Sequence, residues 1–401
     1  MRRAPKSLRL HIGLFGRRNA GKSSTLNALT RQEAAIVSPT AGTTTDPVEK
    51  SMEMLPLGPV LFIDTAGIDD EGDLGAQRMA KTKRVLDRCD IAILVASADA
   101  WGDFETDLLA ALRQRQVPTI VLFNKCDLAS PSQEVRTALS ADDIPWVEGA
   151  MDQRRGVENL HAALVEVTPE EFLATPSLIG DLVSPGGLCV LVVPIDKEAP
   201  KGRLIQPQVQ TIRDLLDHEA YALVVKEREL RAALDNLKMP PDLVVTDSQA
   251  FLKVAADTPD EIPMTSFSIL FARLKGDLAS FVAGARAIDD LGAGDRVLIA
   301  ESCSHHPITE DIGRVKIPRW LEQYVGGALD IQVTQGHDFP DDLRSYKLVI
   351  HCGSCMHNRR SVLGRVARCQ QAGVPITNYG IAIARLLGID DRALKPFAME
   401  L

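Results

Sequence analysis

The stretch His351-Cys352-Gly353-Ser354-Cys355 sets two thiols three positions apart, directly behind the apolar run of residues 346–350. A third cysteine, Cys303, lies 49 residues before Cys352, with His305 and His306 just after it. Four of the eight histidines (His305, His306, His351 and His357) fall within three residues of these three cysteines. A C-x-x-C alone serves thiol redox enzymes, zinc sites and iron–sulfur sites. A dithiol redox pair would use Cys352 and Cys355 and leave Cys303 and the histidines idle. Structural zinc would take Cys303, Cys352, Cys355 and either His305 or His351 as a closed tetrahedral set. An iron–sulfur cluster would take the three thiolates and leave one iron to an exchangeable group, with His305 or His351 as that ligand or as a donor behind the thiolates. Spacing does not separate zinc from iron. Cys89, Cys126, Cys189 and Cys369 stand singly in apolar or helical surroundings and read as small buried hydrophobes.

A second constellation occupies the first third of the chain. Gly16-x-x-x-x-Gly21-Lys22-Ser23 lies between a strand-like run and a helix-period pattern, the context a P-loop requires. Gly16, Asn19, Ala20, Gly21, Lys22, Ser23 and Ser24 are the expected phosphate cradle. Backbone N–H groups and the helix N-terminus face the phosphate oxygens, and Lys22 reaches the β- and γ-phosphates. Ser23 is expected to hold Mg²⁺, with Thr44 of the "GTTTD" loop (42–46) completing that site. Strand 60–64 ends in Asp64-Thr65-Ala66-Gly67, where the carboxylate acts on Mg²⁺ through water and the Gly67 amide senses the γ-phosphate. Lys22, Thr44, Asp64 and Gly67 are therefore the expected catalytic group. A further apolar strand ends in Asn124-Lys125-x-Asp127, whose carboxylate matches the paired donors of guanine and rejects adenine. Gly149-Ala150 sits where a backbone contact to the base is expected, with Gly149 where serine is usual.

These motifs resemble the translation-factor class of GTPases, in particular its tRNA-modification and Era-like branch. The resemblance implies two mechanistic points. Ile68 stands where Ras-like enzymes carry a water-orienting glutamine. Asn19 matches the position that binds K⁺ beside the phosphates in some relatives, so slow GTP hydrolysis raised by K⁺ is expected.

The 401 residues exceed one ordinary core, which predicts two or three domains. A net charge of −9 and the absence of a basic, aromatic-interleaved stretch count against nucleic acid as the main partner. No run approaches the length of a membrane span, and the N-terminal stretch lacks a signal-peptide apolar region, so a cytoplasmic protein without membrane attachment is expected. The fold class expected is α/β: an N-terminal P-loop GTPase domain (1–172) with a mixed or parallel sheet and helices on both faces, then two smaller α/β domains.

Behind the Pro- and Gly-rich segment 167–187, strand-like runs at 188–195, 220–225 and 242–247 alternate with helical patterns. This middle domain (180–265) shows no chemistry of its own, and dimer formation is its default role. The loop 199–202 reads as a solvated turn. In the last domain (266–401), residues 266–291 read as one long buried helix, followed by four strands alternating with helices. Alternation implies parallel pairing, and parallel sheets bind ligands beyond the carboxyl ends of their strands. Cys303 and Cys352 each fall just past such an end, so the fold is expected to bring the three thiols to one rim.

Taken over its full length, Cys303-x-His305, then His351-Cys352-x-x-Cys355, behind a GTPase with DTAG and NKxD, the chain resembles the [FeFe]-hydrogenase maturation GTPases, the HydF family. The resemblance implies GTPase, dimerisation and cluster-binding domains, a [4Fe–4S] cluster on Cys303, Cys352 and Cys355, and a homodimer. It also implies a scaffold that receives a two-iron precursor from two radical-SAM maturases and delivers it to apo-[FeFe]-hydrogenase. The alternative is a zinc-stabilised GTPase acting in RNA modification or ribosome assembly.

Overall fold

The computed structural model describes residues 5–30, 47–65, 82–169, 172, 177–195, 202, 204–302, 311–336 and 338–401. The chain forms two compact units, Met1–Thr175 and Pro176–Leu401.

The first unit is built on a six-stranded sheet: β1 (Leu10–Phe15), β2 (Val48–Met54), β3 (Gly58–Asp64), β4 (Ile91–Ser97), β5 (Thr119–Asn124) and β6 (Trp146–Glu148). The order is β2-β3-β1-β4-β5-β6, with β2 antiparallel to β3 and the other pairs parallel. The alternation of a strand's side chains places Leu10, Ile12 and Leu14 in one apolar layer with Val60 and Phe62, while Phe15, Leu61 and Ile63 enter the layer on the other side. Both faces are thus buried, which is why these strands read as continuous apolar runs. Among the described helices are α1 (Lys22–Thr30), α2 (Asp103–Gln114), α3 (Gln133–Ala141) and α4 (Val157–Val167).

The second unit carries two four-stranded parallel sheets joined by one apolar core. The first contains β7 (Leu188–Val192), β8 (Tyr221–Val225), β9 (Leu243–Thr246) and β10 (Met264–Ser266) in the order β10-β9-β7-β8. The second contains β11 (Arg296–Ala300), β12 (Asp330–Thr334), β13 (Leu348–His351) and β14 (Ile376–Asn378) in the order β12-β11-β13-β14. Helices α5 (Gln206–Asp217), α6 (Leu230–Asp235) and α7 (Phe251–Asp257) belong to the first sheet's segment. They are followed by α8 (Phe267–Lys275), α9 (Leu278–Ala285), α10 (Ile317–Val325), α11 (Arg359–Ala372), α12 (Tyr379–Leu386) and α13 (Asp390–Leu394).

Two details differ from the sequence expectation. The apolar stretch 266–291 is two helices rather than one, because α8 ends at Gly276 and Asp277 caps α9 by accepting from the Ser280 amide. A Cβ at Gly276 would come within 2.3 Å of the Phe281 ring, so the break lets that ring pack against bare backbone. The first sheet also has a fourth strand, β10, only three residues long. None of the described helices is long and apolar enough to cross a membrane.

Candidate functional site

In the first unit the loop between β1 and α1 is shaped by its glycines. Gly16 has φ +143° and Gly21 φ +102°; a Cβ would fall 2.1 Å from the Val95 carbonyl oxygen at the first and 2.0 Å from Asn124 Nδ2 at the second. Only glycine fits a backbone that is both left-handed and this close to its neighbours. Lys22 is buried at the start of α1, and its Nζ donates to the carbonyls of Gly16 (2.8 Å) and Arg17 (2.7 Å), holding the ammonium inside the loop's curve. Arg17 is turned the other way, in a two-point ion pair with the buried Glu105 of α2. Asn19, exposed at φ +61°, tips the loop; Ala20 is buried beneath it and Ser24 lies half-buried on α1.

Ser23 Oγ donates to Asp64 Oδ2 at 2.8 Å, joining α1 to the end of β3. Burial raises the Asp64 carboxyl above its usual range, opposed by the Ser23 hydroxyl and the Lys22 charge. Its other oxygen, Oδ1, is buried with no hydrogen-bond partner among the described residues. A hydroxyl and an undersatisfied buried carboxylate side by side suit a hard cation such as Mg²⁺. Thr44 and Gly67 lie outside the described residues.

Asn124 is buried at the end of β5 and acts as a tie. Its Nδ2 donates to the Ala20 carbonyl (2.9 Å), and its Oδ1 accepts from the Met151 amide (3.0 Å). Lys125 follows at φ +61°, and the exposed Asp127 accepts from Gln153 Nε2 at 2.9 Å. Gly149 and Ala150 follow β6 at the base of the same loop cluster. The Gly149 amide donates to Phe123 O (2.9 Å), and the fully buried Ala150 donates to Arg155 O (3.0 Å), so both amides are engaged within the chain. A Cβ at residue 149 would meet Met151 Cε at 2.4 Å and Arg155 O at 2.8 Å, which accounts for glycine where serine is usual.

In the second unit, register sets the rim. Ala300 pairs with His351, and His351 with Asn378, so β11, β13 and β14 end level. The Cys352 amide then donates to Ala300 O (3.0 Å), and the Ser302 amide donates to Cys352 Sγ at 3.1 Å. Ser302 is the residue before Cys303; Cys303 and His305 lie outside the described residues. All six cysteines that are described carry free thiols, with Cys89, Cys189 and Cys369 buried. Cys355 is half-buried. Burial and then the neighbouring Cys352 push its thiol above the ordinary value, while Lys275 pulls it down. Among the described residues no group of three or more His, Cys, Asp or Glu side chains could hold a metal ion.

Both ring nitrogens of His351 have partners within the chain. Its Nδ1 lies 2.9 Å from the Cys352 carbonyl and 3.0 Å from Ser354 Oγ, and Arg365 donates to its Nε2 at 2.8 Å. With Nε2 accepting, the proton sits on Nδ1 and both nitrogens serve the protein. Burial and then the Arg365 charge push its pKa down to about 3, so the ring is neutral. Its contacts fix the backbone of the Cys352–Cys355 loop.

Three residues of this site were not anticipated. Lys275, at the end of α8, is 2 % exposed and donates from Nζ to Ser354 O (2.8 Å) and His357 O (2.9 Å). Arg365, from α11, lies over the Phe339 ring at 4.9 Å. Ser302 bridges to Cys352. The lysine closing a largely apolar helical stretch was the available signal, and spacing alone gave it no partner. Cys355 and Gly353 also line a cavity of about 150 Å³ with Ser248, Gln249, Phe271 and Tyr379, so the ends of both sheets border it.

Residues 11–125 match the 50S ribosome-binding GTPase family. GTPase Der of Wolinella succinogenes is 39% identical over 174 residues, 41% of this chain and 36% of that protein. The tRNA modification GTPase MnmE of Exiguobacterium sibiricum is 34% identical over 165 residues, 40% of this chain and 35% of that protein. The chain thus spans about a third of the length of the curated relatives it matches. The G domain of the T. maritima FeoB iron transporter superposes with a TM-score of 0.32 at 22% identity, covering 40% of this chain and 99% of that one. Residues 178–276 match the hydrogen maturase F dimerization domain and residues 279–396 the hydrogen maturase F tetramerization domain, together more than half of the chain. With a GTPase domain in front of both, the chain belongs to the hydrogen maturase F family.

Proposed function

We propose that this protein is a GTP-hydrolysing scaffold that holds a [4Fe–4S] cluster on Cys303, Cys352 and Cys355. In this reading it receives the two-iron precursor of the hydrogenase H-cluster from radical-SAM maturases and delivers it to apo-[FeFe]-hydrogenase. It works as a homodimer in the cytoplasm, divided into a GTPase domain (1–172), a dimerisation domain (180–265) and a cluster domain (266–401). The observation that carries the reading is the 3.1 Å contact between the Ser302 amide and Cys352 Sγ. It brings Ser302, the residue before Cys303, against Cys352, which supports a reading in which the three soft donors share one rim. A cluster on three thiolates supplies an iron without a fixed thiolate, where cargo can attach and leave. The cavity beside Cys355 gives such cargo room at that rim. GTP, Mg²⁺ and K⁺ would be held by the P-loop unit, with Ser23 and Asp64 toward Mg²⁺, Thr44 beside them, and Asn19 toward K⁺.

The test is iron, sulfide and zinc content, with EPR of the anaerobically reconstituted and reduced protein, wild type beside Cys303→Ala. About four irons per chain and a reduced-cluster signal that the substitution abolishes are expected. One zinc and no signal would instead return the chain to a zinc-stabilised GTPase.

A further inference from the structure

Lys275 and Arg365 are buried cations without a carboxylate in ion-pair contact among the described residues; Asp338 acts on Arg365 only at a distance and less than Cys352 and Cys369 do. Among the described residues, no ion pair involves either of them, although salt bridges are frequent elsewhere on the surface. Burial pushes Lys275 down to about 8 and Arg365 down to about 10. In both cases the leading opposing influence is a thiol: Cys355 and then Cys352 for Lys275, Cys352 for Arg365. An isolated buried charge is costly unless an opposite charge repays it. The two cations reach the loop from different helices, α8 and α11, and each is fixed by its own contacts. Lys275 is held by Ser354 O and His357 O and lies 5.3 Å from the Phe271 ring centroid; Arg365 is held by His351 Nε2 and the Phe339 ring.

We propose that Lys275 and Arg365 form a buried cationic cradle that supplies the counter-charge for an anionic metal–thiolate group on the Cys352–Cys355 loop. Thiolates, not thiols, are the ligands, and a neighbouring ammonium or guanidinium favours the thiolate. A four-iron cluster on three thiolates is anionic and becomes more so on reduction, so fixed cations stabilise the reduced state and raise the potential. Lys275 is a positioning residue here: it acts through the loop and its field. The inference rests on the proposed function for the identity of the metal group, and on the geometry alone for its charge.

The experiment compares wild type with Lys275→Met, Lys275→Gln and Lys275→Arg in the full chain, with circular dichroism as the check of folding. In reconstituted protein, the cluster midpoint potential followed by EPR is expected to shift negative in Lys275→Met and Lys275→Gln and to stay near wild type in Lys275→Arg. Glutamine keeps hydrogen-bond donors without charge, so it separates the field from the tether. In iron-free protein, Cd²⁺ affinity read from the thiolate charge-transfer band is expected to fall about tenfold in the two neutral variants and to be retained in Lys275→Arg. A neutral variant with wild-type Cd²⁺ affinity and, where iron is bound, wild-type potential overturns the proposal. If wild type carries one zinc and no cluster signal, the cluster reading fails, while the Cd²⁺ comparison still decides the cradle.

Discussion

Asn19 is the residue on which the proposed K⁺ dependence turns. Its φ of +61° is a conformation asparagine tolerates better than most side chains, and it stands exposed at the tip of a loop otherwise shaped by glycines. Replacing it by alanine would strain the backbone by roughly 1–2 kcal/mol and confuse the outcome. Glycine removes the side chain at no such cost, so Asn19→Gly is the informative change. A cation placed beside the phosphates adds charge stabilisation where charge develops in the transition state. GTP hydrolysis by wild type is accordingly expected to rise by about tenfold or more when K⁺ replaces Na⁺. Asn19→Gly is expected to keep the Na⁺ rate and lose the stimulation. Equal wild-type rates in the two salts would remove K⁺ from the mechanism. Asn124, by contrast, is a tie between the P-loop and the Met151 turn, and its loss is a loss of architecture as well as of contact.

At the scale of elements, the edge strand β8 stands out. Tyr221 is 64 % exposed and Leu216, near the end of the preceding α5, is 57 % exposed, with Val209 and Val224 also open. An apolar, unpaired edge is a liability in a protein that stays alone. These residues lie inside the segment that matches the hydrogen maturase F dimerization domain. The combined change Tyr221→Lys and Val224→Glu is expected to weaken self-association by roughly 2 kcal/mol or more, about thirtyfold. Light scattering behind size exclusion would show the dimer population dissolving at micromolar protein. An unchanged mass would place the contact elsewhere.

The same scale explains what could be read from sequence. The strands before Cys303 and Cys352 were legible because a buried parallel strand is an uninterrupted apolar run with an abrupt polar end. Level strand ends follow from their pairing. The three-residue β10 was not legible, since its length carries no period. Nor were the partners of Lys275 and Arg365: Lys275 reaches the loop from a helix about 80 residues earlier, and Arg365, on the helix that follows the loop, meets His351 only once α11 has packed back against β13. The orientation of His351 also waited on structure, for only the position of Arg365 shows which nitrogen accepts.

For the whole molecule, the question is whether the nucleotide and the cargo partners act on one equilibrium. The loops at 42–46 and 64–72 are expected to respond to the γ-phosphate; apart from Asp64 and Thr65 they lie outside the described residues, and thermodynamic linkage sets what any coupling must obey. A nucleotide shifts partner binding only by the difference in its own affinity for the two states it distinguishes. If GTP in place of GDP changes affinity for a radical-SAM maturase tenfold, about 1.4 kcal/mol, the maturase must change the GTP-to-GDP affinity ratio by the same tenfold. Both arms can be measured: titration calorimetry of the maturase into protein held with a non-hydrolysable GTP analogue or with GDP, and nucleotide affinity with and without saturating maturase. Matching, non-unit factors are expected, and Asp64→Asn, which leaves Ser23 facing a neutral amide, is expected to bring both toward one. Equal affinities in the two nucleotide states would make the GTPase unit a passenger in loading, and would direct attention to the delivery step, where the same pair of measurements applies to apo-hydrogenase.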